Sequence, residues 1–367
     1  MISQRRRVLF LIPSLEGGGA ERVFSLLLRH LDRSRFEPHL AVLQAQGTYL
    51  RDIPDDVTVH DLKVSRVRYA LPSILRLAWS LRPQALLSTL GHLNLALILA
   101  KPLLPPGSRL LVRQAVIASS VLPEETQHPR MWEWFYRHFY GRADKIICLS
   151  DSMVDDMVQH FGLPREKLVR IYNPVDAERV QELARVGSTP YSGPGPHLVA
   201  AGRLARQKGF DVLLDAMPVV LERFPGARLT ILGEGPLRSS LAEQASRLNL
   251  TEAVRFPGFE QAPWRYLKHA DLLVLSSRYE GLPNILLEAL ALGTPVVATD
   301  CPGAIREVHD CDERLAVVPP ENPAALGQAI ISACEKGRTG CESQEQLRER
   351  MGRFSLQQAL NEYGKLF

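Results

Sequence analysis

Short apolar runs alternate with stretches of helical periodicity along nearly the whole chain. In the first half, the runs at Arg7–Pro13, His39–Leu43, Gln84–Thr89, Arg109–Arg113, Lys145–Leu149 and Val169–Tyr172 predict strands. Helical patterns occupy Ala20–Leu31, Leu71–Leu81, Met131–Tyr140 and Ser152–Phe161. The alternation then restarts, with strands predicted near His197–Ala201, Arg228–Leu232, Val254–Phe256, Asp271–Leu275, Pro295–Thr299 and Leu315–Val318. Strand, helix and strand joined by short loops make right-handed crossovers in a parallel sheet, so the class is α/β with doubly wound sheets. The Gly/Pro/Ser cluster from Gly187 to Pro196 is the strongest punctuation in the chain. It reads as a linker between a domain at 1–186 and a second at 197–350, followed by a terminal helix at 351–367. The tail from Ser343 to Phe367 is helical in pattern and polar on one face.

Composition narrows the class further. A chain of 367 residues is long enough for two domains. The balance of 44 basic to 40 acidic residues argues against nucleic acid as a dedicated partner. Five cysteines (Cys148, Cys301, Cys311, Cys334, Cys341) are scattered, which excludes a disulfide framework and zinc spacings and suits a reducing cytosol. Arg5-Arg6-Arg7 before Val8 to Ile12 has the outline of a signal peptide, but the run is short and leads straight into a glycine loop. It reads as the first strand. The apolar run Leu93 to Leu104 is broken by Lys101 and Pro102, short of the ~20 residues that a spanning helix needs.

Five loops carry candidate chemistry. In Ser276 to Glu288, a strand ends, a loop presents Glu280, and a helix opens near Pro283 and stops at Gly293. Glu280 therefore sits at the carboxyl end of a strand, where open α/β sheets bind ligands, and Glu288 lies about two turns further on. Taken alone, two acids at this spacing are a solvated loop acid and a surface helix acid. The loop Glu16-Gly17-Gly18-Gly19-Ala20-Glu21-Arg22 joins the first strand to the first helix, where backbone N–H groups can approach an anion. It lacks both the dinucleotide spacing and a Walker lysine. In Gly202 to Asp211, Arg203 and Lys208 flank another strand-to-helix loop. A close pair of unit charges is worth about 4 kcal/mol at an effective dielectric of 20, so two cations there suit a diphosphate. The turn at Gly233 and Gly235 repeats the strand, glycine, helix order, and Val254 to Phe259, with Phe256 and Gly258, ends at the same sheet edge, where a planar base can lie on the backbone.

Together these segments resemble family 4 of the retaining glycosyltransferases, whose GT-B fold has two facing Rossmann-like domains. The resemblance rests on GGGAERV at 17–23, IICLSDSMVDDM at 146–157, IYNPVD at 171–176, GRLARQKGFD at 202–211, LGEGPLR at 232–238, and the segment 276–308 with its E-x7-E pair. It implies an acceptor-binding first domain, a nucleotide-sugar-binding second domain and a C-terminal helix that crosses back onto the first. Arg203, Lys208 and Glu280 would carry catalysis, the two cations holding the donor diphosphate while Glu280 contacts sugar hydroxyls and Glu288 the ribose. Gly18, Gly19, Gly202, Gly233, Gly235, Phe256, Gly258, Gly281, Leu282, Pro283, Asn284 and Ile285 would complete the donor site, with closure of the interdomain cleft excluding water. The resemblance further implies retention, no metal and no other cofactor, the leaving phosphate helping to deprotonate the incoming hydroxyl. Some members carry a histidine after the strand at Arg109–Arg113, whereas this chain reads Arg113-Gln114, similar to the Arg-Asn of others. His92, after the Gln84–Thr89 strand, is a further acceptor-side residue.

The first expectation for the donor is a UDP-sugar, a hexose or N-acetylhexosamine, and the second is GDP-mannose. The family's habit implies a polyprenyl- or lipid-linked glycan acceptor in cell-surface polysaccharide or glycoconjugate assembly. Lys63 to Arg82 and Arg130 to Tyr140 mix basic with apolar and aromatic residues, as a helix on an anionic membrane surface does. The expected place is the cytoplasm, peripheral to the inner face of the cytoplasmic membrane. The rival readings are a GT-B epimerase or phosphorylase, whose carboxylates and histidines this chain matches poorly, and a silent binding protein, against which the intact Arg203, Lys208, Glu280 and Glu288 argue. An NAD-dependent oxidoreductase lacks its fingerprint here.

Overall fold

The computed structural model describes residues 5–338 and 344–367. It divides into one unit that ends at Asn173 and takes in Gln357–Phe367, and a second at Pro174–Leu356.

The first unit is built on seven parallel strands: β1 (Arg6–Ile12), β2 (Phe36–Val42), β3 (Thr58–Asp61), β4 (Ala85–Thr89), β5 (Arg109–Arg113), β6 (Lys145–Cys148) and β7 (Leu168–Arg170). Their order is β3-β2-β1-β4-β5-β6-β7. β1 is central because Val8 to Ile12 is apolar throughout and buried on both faces, as parallel sheets require. It pairs Val8 with Pro38 of β2 and with Ala85 of β4. Helix α1 (Gly19–His30) returns over the sheet and packs Phe24 edge-on against Phe10, with ring centroids 5.4 Å apart. The C-terminal helix Leu356–Leu366 covers the same face: Phe367 lies 5.8 Å from Phe10, and Ala359, Tyr363 and Leu366 join the core. The expected return of the terminal helix to the first unit is therefore present. Of the expected helical tail, Ser343 lies outside the described residues, as does Cys341. From Gln344 the chain forms helix Gln344–Met351 before the terminal helix.

The second unit repeats the plan with β8 (His197–Ala201), β9 (Arg228–Leu232), β10 (Val254–Gly258), β11 (Leu272–Leu275), β12 (Val296–Thr299) and β13 (Leu315–Val318). Their order is β10-β9-β8-β11-β12-β13, again all parallel. Two doubly wound α/β units are the GT-B class expected from sequence. The reversal of strand order falls between β8 and β11, so the loops after these two strands flank the switch point.

Packing divides the chain earlier than the punctuation at 187–196 does. The helix Ala177–Ala184 belongs to the second unit, where Gln181 Nε2 donates to Ala291 O at 3.1 Å. Inside the cluster, Tyr191 is buried, stacks on His197 at 4.8 Å and donates its hydroxyl to Tyr266 O at 3.0 Å. A segment anchored in this way is part of the unit. No helix among the described residues is long and apolar enough to cross a membrane.

Candidate functional site

In the second unit, the loops that follow β8 and β11 are stitched together by main-chain bonds. Arg278 N donates to Gln207 O at 2.8 Å, Gln207 Nε2 to Tyr279 O at 3.1 Å, and Ser276 Oγ to Lys208 O at 2.9 Å. Gly209 makes this approach possible: its φ is +58°, and a Cβ there would lie 2.0 Å from Ser276 O. The stitching delivers Lys208 Nζ to Glu280 Oε1 at 2.6 Å, and Ser277 Oγ donates to the same oxygen at 2.6 Å. The loop itself is pinned where Glu280 N donates to Pro302 O and Ala304 N to Gly281 O, both at 2.8 Å. Glu280 is only 4% exposed and Glu288 3%, so neither is the solvated acid that spacing alone would allow. Cys301 lies beside Glu280, its thiol pushed up to about 12 by burial and then by the Glu280 carboxylate.

Arg278 fastens the two loops. Its guanidinium forks onto both Asp211 oxygens at 2.8 Å, donates to Arg206 O at 2.7 Å and pairs with Glu321. Hydrogen bonding to Asp211 raises the Arg278 pKa, and the same bonds hold the Asp211 carboxyl below its usual range. The Asp211 contribution to stability is therefore present above its unfolded pKa and is lost as pH falls through its lowered folded value. Arg278→Leu is expected to cost about 2 kcal/mol in equilibrium unfolding. It should also weaken donor affinity by misplacing Lys208, whereas Arg278→Lys restores part of the stability and little of the fork. A variant with unchanged melting and donor affinity would contradict this placement.

Arg203 sits on the same loop but is exposed, and its guanidinium takes part in no hydrogen bond or ion pair among the described residues. Beside it, Gly202 packs on the Lys208 stem, and Gly233, with φ +138°, lies so near Gly202 that a Cβ would fall 1.9 Å from its carbonyl oxygen. Gly233 N in turn donates to Gly258 O at 2.7 Å, which draws the end of β10 to the same edge. Gly235 is held as closely to Leu204. Phe256 packs its ring on the core, and its carbonyl accepts from Arg238 Nη2 at 2.9 Å. Gly281, Leu282 and Pro283 are buried, and Pro283 is the N-cap of the helix Asn284–Ala291, which has no side-chain cap. Asn284 and Ile285 thus open a helix whose positive end makes no side-chain cap bond at Pro283, an arrangement that suits an anion.

In the first unit, Gly18 is the N-cap of α1 in an extended conformation, followed by Gly19. Glu21 folds back over it so closely that a Cβ on Gly18 would meet Glu21 Oε2 at 2.3 Å. Burial raises the Glu21 pKa, and Arg113 partly opposes that shift. Arg113 is fully buried, which lowers its pKa. The Tyr363 hydroxyl from the terminal helix bonds it, Thr89 Oγ1 accepts at 3.3 Å, and Asn173 Oδ1 accepts from Nη2. Gln114 is buried too: its Oε1 accepts from Tyr140 Oη at 2.9 Å, and Asn94 Nδ2 donates to that Tyr140 oxygen at 3.1 Å. Arg113 and Gln114, expected to face the acceptor, are therefore interior groups of the unit. His92 is exposed and meets Trp132 edge-on at 4.5 Å. Glu21, Asn173, Ser277 and Arg278 all lie inside the motifs at 17–23, 171–176 and 276–308, yet spacing along the chain predicts none of these contacts.

Two family models match: one described as Glycosyltransferase Family 4, over residues 17–179, and one as Glycosyl transferases group 1, over 195–336. The chain belongs to the family 4, group 1 glycosyltransferases. An uncharacterized glycosyltransferase of Methanocaldococcus jannaschii is 34% identical to this family member over 180 residues, which span 47% of the chain and 44% of the relative. An N-acetylgalactosamine-N,N'-diacetylbacillosaminyl-diphospho-undecaprenol 4-alpha-N-acetylgalactosaminyltransferase of Campylobacter jejuni is 27% identical over 88% of the chain and 89% of its own length. Among solved structures, Anabaena HepE in complex with UDP-glucose superimposes with a TM-score of 0.76 at 18% identity, over 99% of both chains. Sucrose-phosphate synthase from Thermosynechococcus elongatus gives 0.77 at 17% identity, over 99% and 98%. At these identities the structural likeness is one of fold. For this glycosyltransferase, the matched models cover both the Gly18–Gly19 loop and the loops that carry Arg203, Lys208, Glu280 and Glu288.

Proposed function

We propose that the protein transfers a hexosyl or N-acetylhexosaminyl group from a UDP-sugar to a hydroxyl of a lipid-linked glycan, with retention of anomeric configuration and without a metal. The observation that carries this reading is the Lys208–Glu280 contact of 2.6 Å beside an exposed Arg203, unpaired among the described residues, at the carboxyl edge of a parallel sheet. Lys208 spends one of its three N–H donors on Glu280 and keeps two for a diphosphate, while Arg203 offers a planar fork. Glu280 then accepts from sugar hydroxyls and Glu288 from the ribose. As the C1–O bond to the diphosphate breaks, charge grows on the leaving phosphate oxygen, where the two cations and the helix end at Pro283 stabilise it. The acceptor hydroxyl forms the new C1–O bond on the same face, and its proton passes to that oxygen.

The choice of acceptor draws on the C. jejuni relative, named for a diphospho-undecaprenol substrate, and the choice of donor on the UDP-glucose complex of the structural neighbour. Cell-surface polysaccharide assembly is the setting that fits them. A panel of UDP- and GDP-sugars, each incubated with and without an undecaprenyl-diphosphate glycan, tests the proposal. Free UDP that appears only with acceptor, EDTA included, and an axial linkage in the product by NMR are the expected results. Release of GDP from GDP-mannose alone would move the donor to the second expectation. Donor turnover without any acceptor product would overturn the transferase reading.

A further inference from the structure

From Leu62 to Pro123 the chain contains no aspartate or glutamate, although it has 40 acidic residues in all, and the same stretch carries eight lysines and arginines. It folds into α2 (Val67–Leu81) and α3 (Gly91–Ala100), with a 3-10 turn at Lys101–Leu103. α3 packs against both α2 and the helix Pro129–Phe139. These elements form one layer: Trp79 Nε1 donates to Leu103 O at 2.9 Å, and Lys101 Nζ donates to Arg142 O at 2.7 Å, at the turn that ends the Pro129–Phe139 helix. In the helix Pro129–Phe139 the single acid, Glu133, is paired with His160.

The layer also holds most of the apolar surface that this protein exposes. Six of the ten large exposed hydrophobic side chains among the described residues lie on it: Tyr69, Trp79, Leu99, Leu103, Met131 and Trp134, with Leu103 60% exposed and Trp79 48%. Arg66, Arg68, Arg76 and Arg82 are exposed beside them, and none joins an ion pair among the described residues. Elsewhere surface arginines such as Arg33, Arg179 and Arg223 are paired with acids. Exposed indoles and leucines gathered on one layer leave apolar area in water, and the arginines around them, Arg68 stacked on the Tyr69 ring at 4.8 Å, add positive charge to the same surface. The same arrangement suits the headgroup region of an anionic bilayer, where tryptophan and tyrosine sit at the interface, aliphatic chains enter the acyl boundary and arginines meet phosphates. A nucleic acid would use the charges but leave Leu99, Leu103 and Met131 in water.

We propose that the outer face of α2, α3 and the Pro129–Phe139 helix seats the protein on an anionic lipid bilayer, with Trp79 and Leu103 as its central anchors. The purpose of this contact rests on the reading of a lipid-linked acceptor, but its test reads binding alone. The full chain is floated with phosphatidylcholine vesicles with and without phosphatidylglycerol, and tryptophan emission is followed with brominated lipids. Flotation with the anionic vesicles at low salt and quenching of emission are expected. Trp79→Ser combined with Leu103→Ser should lower the partition coefficient roughly tenfold or more in a variant that circular dichroism shows to be folded, and Leu103→Ser alone, which keeps the Trp79 bond to the Leu103 carbonyl, should lower it in part. Two results would overturn the proposal: no flotation with anionic vesicles at low salt, or equal flotation of the double variant. Binding that high salt abolishes without any tryptophan quenching would instead mark a polyanion site. Transfer to a water-soluble acceptor analogue should survive in the double variant, which separates failure of the surface from failure of the transferase reading.

Discussion

Arg203→Ala is expected to lower kcat/KM for glycosyl transfer by about 10²–10³, or roughly 3–4 kcal/mol of transition-state stabilisation, with no change in Tm. The two halves of that expectation have separate causes. The guanidinium is exposed and has no partner among the described residues, so its removal strands none of them and opens no cavity. In the proposed reaction it meets charge that grows on the leaving diphosphate, so the loss should fall on kcat as well as on donor KM. Arg203→Lys keeps the charge but not the fork, and should recover only part of the activity. Steady-state kinetics beside differential scanning fluorimetry checks both halves. A drop in Tm together with the activity would mean that Arg203 supports the loop rather than the donor.

The second large effect belongs to Lys208 and Glu280, and here stability and activity part company. Glu280 is buried and accepts from Lys208 and Ser277 through one oxygen. Lys208→Met leaves that carboxylate without its cation. Breaking a buried pair from one side costs about 3–5 kcal/mol. The Lys208 side chain is 18% exposed, so water and Ser277 hold the cost near the lower end. Lys208→Met combined with Glu280→Gln removes both charges and should be more stable than Lys208→Met alone, a positive coupling in a double-mutant cycle. Transfer should be lost in all three variants, because the double variant repairs the fold and not the chemistry. Urea unfolding of the four proteins, with turnover measured on the same preparations, decides it. Additive stabilities would mean that the contact is incidental.

Much of the fold was legible because burial on both faces of a parallel strand leaves uninterrupted apolar runs, as in Val8 to Ile12 and Leu272 to Leu275. The exception is β3, Thr58–Asp61, an edge strand exposed at Thr58, Val59 and Asp61, so no apolar run marks it. α3 was hidden for the opposite reason. It is buried nearly all round, and a helix without a polar face shows no period of 3.6. Around the switch point, the places of Glu280, Arg203 and Lys208 on loops that follow strands could be read from the predicted strands. Arg278 could not, since its role depends on Asp211 and Glu321 arriving from distant loops. The burial of Arg113 and Gln114 was hidden for the same reason. They lie at a strand end, Arg113 closing β5 and Gln114 following it, and Asn173 and Tyr140 reach over and engage them inside the unit.

Isothermal titration of UDP against the wild type and the Arg203→Ala, Lys208→Ala double variant probes the anchoring of the diphosphate without needing to know the sugar or the acceptor. Affinity at least about a hundredfold weaker in a double variant that circular dichroism shows to be folded is the outcome that loss of two charge-assisted contacts requires. Equal affinity in the two proteins would mean that this loop does not hold the nucleotide.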